Sequence, residues 1–194
     1  MVGIVMAQPS IQSRFPDVEA TGIKLVPATD SGRTALLNAI LARDADLIAP
    51  VLPYSVLLVN GSSHKLRAIG ILYQWKDADG HPRGSVRVLG AMQPQDPAQL
   101  SPGDVRFFSP LQEVNQYLAA STTDRQDGKF IDEAGVTSVS DTLPLLIHEE
   151  ATNLAAVSGS FTASIEGIVF EDFRYLGSDN LLRFLQRTRP QIHR

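Results

Sequence analysis

Apolar positions along the chain switch between two spacings, and the switches divide it into elements. Leu36, Leu37, Ile40, Leu41, Leu47 and Ile48 recur as one face of a helix; Asp30-Ser31 offers capping chemistry before them, and Pro50 and Pro53 stop the run. Upstream, residues 1–30 read as an extended lead-in, rich in Pro, Ser and Asp from residue 8, with one short strand over 22–26. Tyr54 to Val59 is β-branched and apolar and runs into a turn composition, Asn60-Gly61-Ser62-Ser63. From Arg67 to Trp75 the spacing becomes two. Ile69, Ile71, Tyr73 and Trp75 fall on one face, with Ala68, Gly70, Leu72 and Gln74 on the other. Asp77-Ala78-Asp79-Gly80-His81-Pro82 makes another turn, and Val86, Val88 and Gly90 then alternate with Arg87, Leu89 and Ala91. Residues 54–92 therefore predict an antiparallel three-strand meander.

Pro94, Pro97 and Pro102 mark a loop, with Pro102-Gly103 suited to the centre of a type II turn, and Val105 to Phe108 is a short strand. Ser109-Pro110-Leu111-Gln112 supplies a cap residue, a helix-opening Pro and a capping-box Gln, and Leu111, Val114, Tyr117 and Leu118 form an apolar face behind it. Residues 122–129 are polar and predict an exposed loop. The last third returns to β pattern. Strands are expected over 143–147, over 155–165 with Phe161, Ala163 and Ile165 alternating, and over 168–170 after Gly167, which suits a bulge; residues 172–175 extend the last of them. Ser178 or Asp179 caps a closing helix striped by Leu181, Leu182 and Leu185. The expectation is mainly β: residues 31–194 as a single antiparallel β-sandwich domain with two or three added α-helices.

Composition narrows the function classes. The chain has 194 residues, 43% of them apolar, enough for one sizeable core without cross-links, and it has no Cys, which removes thiolate chemistry and Cys-based zinc sites. Acidic residues outnumber basic ones, 21 to 17, the reverse of what a nucleic-acid binder usually shows. Arg183, Arg187, Arg189 and Arg194 gather near the end, where a solvated helix face accounts for them. No run reaches the roughly 18–20 apolar residues of a membrane-spanning helix. Val2 to Ala7 is small and apolar, and Val5-Met6-Ala7 has a small-x-small cleavage pattern. If residues 1–7 are a signal-peptide remnant, an extracytoplasmic protein is expected; if they are an ordinary first segment, a cytoplasmic one.

Candidate chemistry is sparse. His148-Glu149-Glu150-Ala151-Thr152 places Thr152 where a zinc helix needs its second His, and Asp77-x-Asp79-Gly80 opens like a calcium loop that lacks the terminal Glu. Glu149, Glu150, Glu166, Glu171 and Asp172 offer carboxylates for acid/base work of the glycosidase kind. Tyr54, Tyr73, Trp75 and Tyr175 offer an aromatic platform, although alternating strand aromatics are usually core. Asn60-Gly61-Ser62 matches a glycosylation acceptor and is equally a turn. Gly-x-Ser-x-Gly, phosphate-cradling and dinucleotide motifs are missing, so no catalytic, cofactor-binding or metal residue is assigned and no cofactor is expected.

The stretch Ser55 to Ser62, Ala68-Ile69-Gly70-Ile71 to Trp75, Asp79-Gly80 and Leu100-Ser101-Pro102-Gly103 resembles the immunoglobulin-like or fibronectin-type sandwich modules of bacterial envelope and secreted proteins, over about a third of the chain. Without cysteine, Trp75 has no inter-sheet disulfide to pack on, so the resemblance implies architecture alone. Modules of this kind mostly bind, space or assemble. The expectation is a noncatalytic module that binds a protein or an extracellular polymer and not nucleic acid. It would bind through the loops 60–65, 77–83 and 122–129, with Asn60, His64, Asp77, Asp79, His81, Asp124 and Arg125 as the candidate surface, or through an edge strand. The alternatives are a sandwich hydrolase using Glu149, Glu166 and Asp172, and a cytoplasmic protein that docks a partner on its first or last amphipathic helix.

Overall fold

The computed structural model describes residues 9–30, 32, 37, 44–77, 79–90, 100–119, 142–156 and 161–194. Two β-sheets lie face to face, and helices cover the outer side of each. The smaller sheet has the order β2 (Ile23–Pro27), β3 (Val56–Asn60), β6 (Val105–Phe108), antiparallel throughout. In the larger sheet β7 (Thr162–Phe170) and β4 (Leu66–Lys76) are central and β5 (Pro82–Gly90) flanks β4. The far side of β7 is shared: β1 (Ser10–Ile11) runs parallel to its start, and β8 (Tyr175–Gly177) runs antiparallel to its end.

Side-chain alternation assigns each face. Val56, Leu58 and Phe108 of the smaller sheet meet Ile69, Ile71, Tyr73, Ala163 and Ile165 of the larger one in the central core, where Phe161 gathers Tyr54, Tyr73 and Trp75 around its ring. The Tyr73 hydroxyl crosses this core and donates to the Phe108 carbonyl at 3.0 Å. Leu57 and Phe107 point the other way, onto α2 (Ala45–Ile48), α3 (Gln112–Ala119) and α4 (Leu143–Ala155). On the outer face of the larger sheet, Ala68 and Val169 receive Leu181 and Leu185 of α5 (Asp179–Gln186). The described residues thus form a mixed α/β protein with two sheets, which is richer in helix than a bare sandwich.

Several expectations meet their elements directly. The strand over 22–26, the type II turn with Gly103 at φ +85°, the strand at Val105, the Asp77 hairpin and the Ser178-capped closing helix are all present. The Ser178 hydroxyl accepts from Leu181 N at 3.2 Å. Gly167 does sit beside a bulge: Gly70 pairs with Gly167 and Ile71 with Ile165, which leaves Glu166 as an extra residue in β7.

Four expectations are corrected. Residues 54–92 do not form one meander, because β3 belongs to the smaller sheet while β4 and β5 form a hairpin in the larger. Both β3 and β4 are buried on two faces, so alternation could not say which sheet each joins, and Gly61 to Lys65 carries the chain between them. Leu143 to Ile147 is helix, not strand: Leu143, Ile147 and Leu154 are buried at helical spacing while Leu145 is 70% exposed, and Pro144 opens the first turn. The capping-box role given to Gln112 falls to Asn115, whose side chain accepts from Ser109 N at 2.7 Å and donates to Ser109 O at 2.8 Å; the Gln112 amide donates instead to Val88 O. Residues 10–27 are no lead-in, since they supply an edge strand to each sheet and bury Val18 and Ile23 in the central core. Within the helix expected over 36–48, α2 accounts for the last turn, and most of the rest, like residues 1–7, lies outside the described residues.

Candidate functional site

The chain entering β1 and leaving through β2 edges both sheets on the same side of the sandwich. The short helix α1 (Pro16–Ala20) bridges them, opened by Pro16 and followed by a left-handed glycine, Gly22, at φ +89°. A Cβ on Gly22 would stand 2.9 Å from the Gly61 carbonyl, so the turn into β2 has no room for a side chain as well as the wrong backbone angle for one. Because α1 is only five residues long, it leaves a gap between the two edges. That gap is a cleft of about 280 Å³, floored by Ile11, Phe15, Val18, Ile23, Leu25 and Ile165 and rimmed by Gln12, Arg14, Glu19 and Lys24.

Hydrogen-bond parity shows what the edge of β2 presents. Ala28 N donates to Ser55 O at 3.0 Å, one step beyond the Pro27–Val56 pair. Stepping back by twos, Val26 and Lys24 also bond toward β3, which turns the N–H and C=O of Ile23 and Leu25 outward, away from it. Pro27, which has no N–H, closes off further pairing on that edge. Both residues are buried, at 0% and 8% exposure, so their outward backbone groups are shielded from solvent while their side chains help to line the apolar cleft.

One wall is charged. The bulge that makes Glu166 an extra residue places a carboxylate with 9% side-chain exposure against the Arg14 guanidinium, and the two form an ion pair. Arg14 also lies over the Phe15 ring, 5.6 Å from its centroid, which fixes the guanidinium at the cleft mouth. Behind the bulge, Tyr175 fills the space a Gly167 side chain would need and donates its hydroxyl to Ser178 O at 2.8 Å. What this arrangement can do chemically is hold an apolar group under an extended backbone. Among the described residues, the lining includes no hydroxyl, imidazole or paired carboxylates.

The residues singled out in the sequence lie elsewhere. Asn60 is fully buried: its amide donates to His64 O at 2.9 Å and Leu100 O at 3.0 Å, and its oxygen accepts from Ser62 N and Ser62 Oγ. It fastens a loop and is neither a partner contact nor an accessible glycosylation acceptor, because all its polar capacity is spent inside. His64 is exposed, with its ring 5.6 Å from that of Phe170. Asp77, Asp79 and His81 do come together, with one ligand-type atom from each lying within 4.8 Å of the others. The Asp77 carboxylate is already engaged by Asp79 N, His81 N and Arg83 Nε. Burial alone would raise its carboxyl, but the His81 backbone N–H and the Arg83 guanidinium outweigh that and hold it below the ordinary carboxylate range. A guanidinium at 2.8 Å stands where a cation would have to go, so the three residues read as a hairpin turn. Asp124 and Arg125 lie outside the described residues.

The hydrolase carboxylates do not converge on the cleft. Glu149 is exposed on α4, Asp172 sits in the turn after β7 with Oδ1 accepting from Arg174 N, and Glu166 is bound to Arg14. At about 3.3 Å per residue, the run of β7 from Glu166 to Phe170 alone separates the last two by more than ~10 Å. Burial raises the Glu150 carboxyl, Arg87 draws it back, and Glu113 and Glu149 push it further up, but Glu150 too lies outside the cleft. Tyr54 and Tyr73 are core, in the cluster that Trp75 packs against, and Tyr175 is buried in the separate cluster under α5. The leucine stripe of the closing helix packs on the larger sheet, with Leu181 and Leu185 buried, while Phe184 of the same helix is 51% exposed.

The cleft residues escaped sequence reasoning because nothing marks them chemically. The one available signal was apolar alternation in Ile23-Lys24-Leu25 following a helix too short to bury it. Comparison with family models, with curated proteins and with solved structures returned no match for this chain.

Proposed function

We propose that this protein is a noncatalytic binding module that takes an extended polypeptide segment at the β1–α1–β2 cleft, with one apolar side chain of the segment seated in the cleft. The observation that carries this reading is the apolar cleft of about 280 Å³ between the edges of the two sheets, rimmed by Gln12, Arg14, Glu19 and Lys24. Recognition of an extended segment draws selectivity from a pocket for one of its side chains, which the cleft supplies, and the charged rim suits polar neighbours. The segment it favours has an apolar residue at the position over the cleft and polar residues on either side. The finer fold assignment, an immunoglobulin-like sandwich, is part of the same proposal. Its supports are two packed sheets with antiparallel β2, β3 and β6 on one side and antiparallel β5, β4 and β7 on the other.

Selection of a displayed library of random decapeptides on the full chain tests the reading. Selected peptides are expected to carry an apolar residue flanked by polar ones and to shift the backbone amide resonances of Phe15, Glu19 and Lys24, which line the cleft. They should bind Phe15→Ala at least about tenfold more weakly, the effect of one lost apolar anchor. Peptides that bind without shifting those amides, or that bind Phe15→Ala equally well, would refute it.

A further inference from the structure

β5 is the outer strand of the larger sheet, on the opposite side from β1. Hydrogen-bond parity identifies the backbone groups that face away from β4. Asp77 N donates to His81 O at 3.0 Å, one step beyond the Lys76–Pro82 pair. Counting by twos, Arg83, Ser85 and Arg87 bond to β4, whereas Gly84, Val86 and Val88 turn their N–H and C=O outward, as Pro82 does its carbonyl. The Gln112 amide, reaching Val88 O from α3 at 3.3 Å, marks that same outward side. Between Pro82 and this contact the edge is open: residues 82–84 are exposed, and Val86, an apolar side chain in mid-strand, is 41% exposed. Val86 stands on the outer face, where a Cβ on Gly70 would meet it at 3.7 Å. Gly84 leaves the same face bare two residues earlier, where a Cβ would lie 3.8 Å from the side chains of both Leu72 and Gln74.

We propose that the chain forms a two-fold dimer in which the β5 strands of two copies pair antiparallel, with Ser85 opposite Ser85 of the second copy. The strand itself selects this register. It sets Gly84 against Val86 of the second copy, and by symmetry Val86 against Gly84, so each pair exchanges both main-chain hydrogen bonds and each exposed valine covers the bare face beside Leu72. At the next pair, Pro82 has no N–H to give to Val88 O of the other copy, and that carbonyl already accepts from Gln112, so the ladder ends without an orphaned acceptor. A shift of two residues either brings Gly84 against Val88 O, where Gln112 competes, or brings Pro82 against Val86 and loses a bond. Charge lets two identical edges approach: Arg83, which faces Arg87 of the second copy, is bound to Asp77 at 2.8 Å, and Arg87 donates to Pro110 O. A strand of acidic sequence would instead meet Asp77 and Glu150, the carboxylates beside those two arginines. No β5 residue lines the β1–α1–β2 cleft, so the dimer leaves the proposed peptide site free.

Because the chain has no cysteine, a single S85C substitution in the full chain reports the register. Residues directly opposite in a pair of this kind have Cα atoms about 4.5 Å apart, within disulfide range. Under mild oxidation S85C is expected to give a disulfide-linked dimer, while A20C, at an exposed position on α1, stays monomeric. In sedimentation velocity the wild-type chain should pass from monomer to dimer and no further as concentration rises, and V86K should raise the dissociation constant at least about tenfold. Amide exchange at Gly84 and Val86 should slow with protein concentration, whereas Ser85 and Arg87, bonded to β4, stay protected throughout. Trp75 fluorescence checks the fold of each variant, and V86K with the exchange rates decides the matter if S85C fails to fold. A wild-type chain still monomeric at about 1 mM, assembly beyond the dimer, cross-linking of A20C as readily as S85C, or wild-type association by V86K would overturn the assignment.

Discussion

Replacing Arg14 by Met removes the guanidinium that compensates Glu166 while keeping an aliphatic stem over Phe15. The carboxylate left behind retains 9% side-chain exposure. Breaking one side of a fully buried pair costs about 3–5 kcal/mol because a charge is left unmatched. Arg14 keeps 36% of its side-chain surface in water, so solvent already screens the pair from that side. The expected loss for R14M is therefore about 1–3 kcal/mol, or roughly 2–12 °C in Tm for a chain of this size. Urea unfolding followed by the fluorescence of Trp75, the one tryptophan and part of the aromatic cluster around Phe161, measures it. The cycle with E166Q and R14M/E166Q separates the pair from its parts: the double variant is expected to recover part of the R14M loss, with a coupling energy of about 1 kcal/mol or more. A loss for R14M below about 0.5 kcal/mol, or a coupling indistinguishable from zero, would refute the view that the bulge at Glu166 organises this wall.

Gly167→Ala would place a Cβ 2.2 Å from Tyr175 Oη and 2.7 Å from its ring, against a buried side chain. A loss of about 1–3 kcal/mol is expected by urea titration, whereas Gly70→Ala, which meets only the tip of Leu181, should lose less. Tyr73→Phe removes the hydrogen bond that joins the two sheets and should cost about 1 kcal/mol; no change in the urea midpoint would argue against its importance. Burial pushes the Tyr175 phenol up to about 12 and raises that of Tyr73 as well. An unfolded tyrosine titrates near about 10, so the folded chain holds these protons while the unfolded chain releases them. Their contribution is complete below about pH 10 and is lost as pH rises toward about 12. Tyrosinate absorbance should therefore show these two groups ionising together with unfolding; ionisation in the native state well below pH 12 would contradict their burial.

Local pattern determined much of this protein. Alternation from Ile69 to Trp75 fixed both β4 and its two faces, Asp77 to Pro82 fixed the hairpin to β5, and Ser178 with its leucine stripe fixed α5, because each depends on neighbours within a few residues. Leu143 to Ile147 was misread for the opposite reason: a short apolar run satisfies either period, and only packing against Leu57 and Phe107 chose the helix. Sheet membership was likewise beyond the pattern. β3 and β4 are both apolar on two faces, and the partners that separate them, Val105 to Phe108 and Thr162 to Phe170, come from far along the chain. The cleft existed nowhere in the sequence, since Ile11, Val18, Ile23 and Ile165 are ordinary core residues until β1 and β2 edge two different sheets on the same side. What makes them a site is the gap a short helix leaves between two edges, a property of the assembled layers.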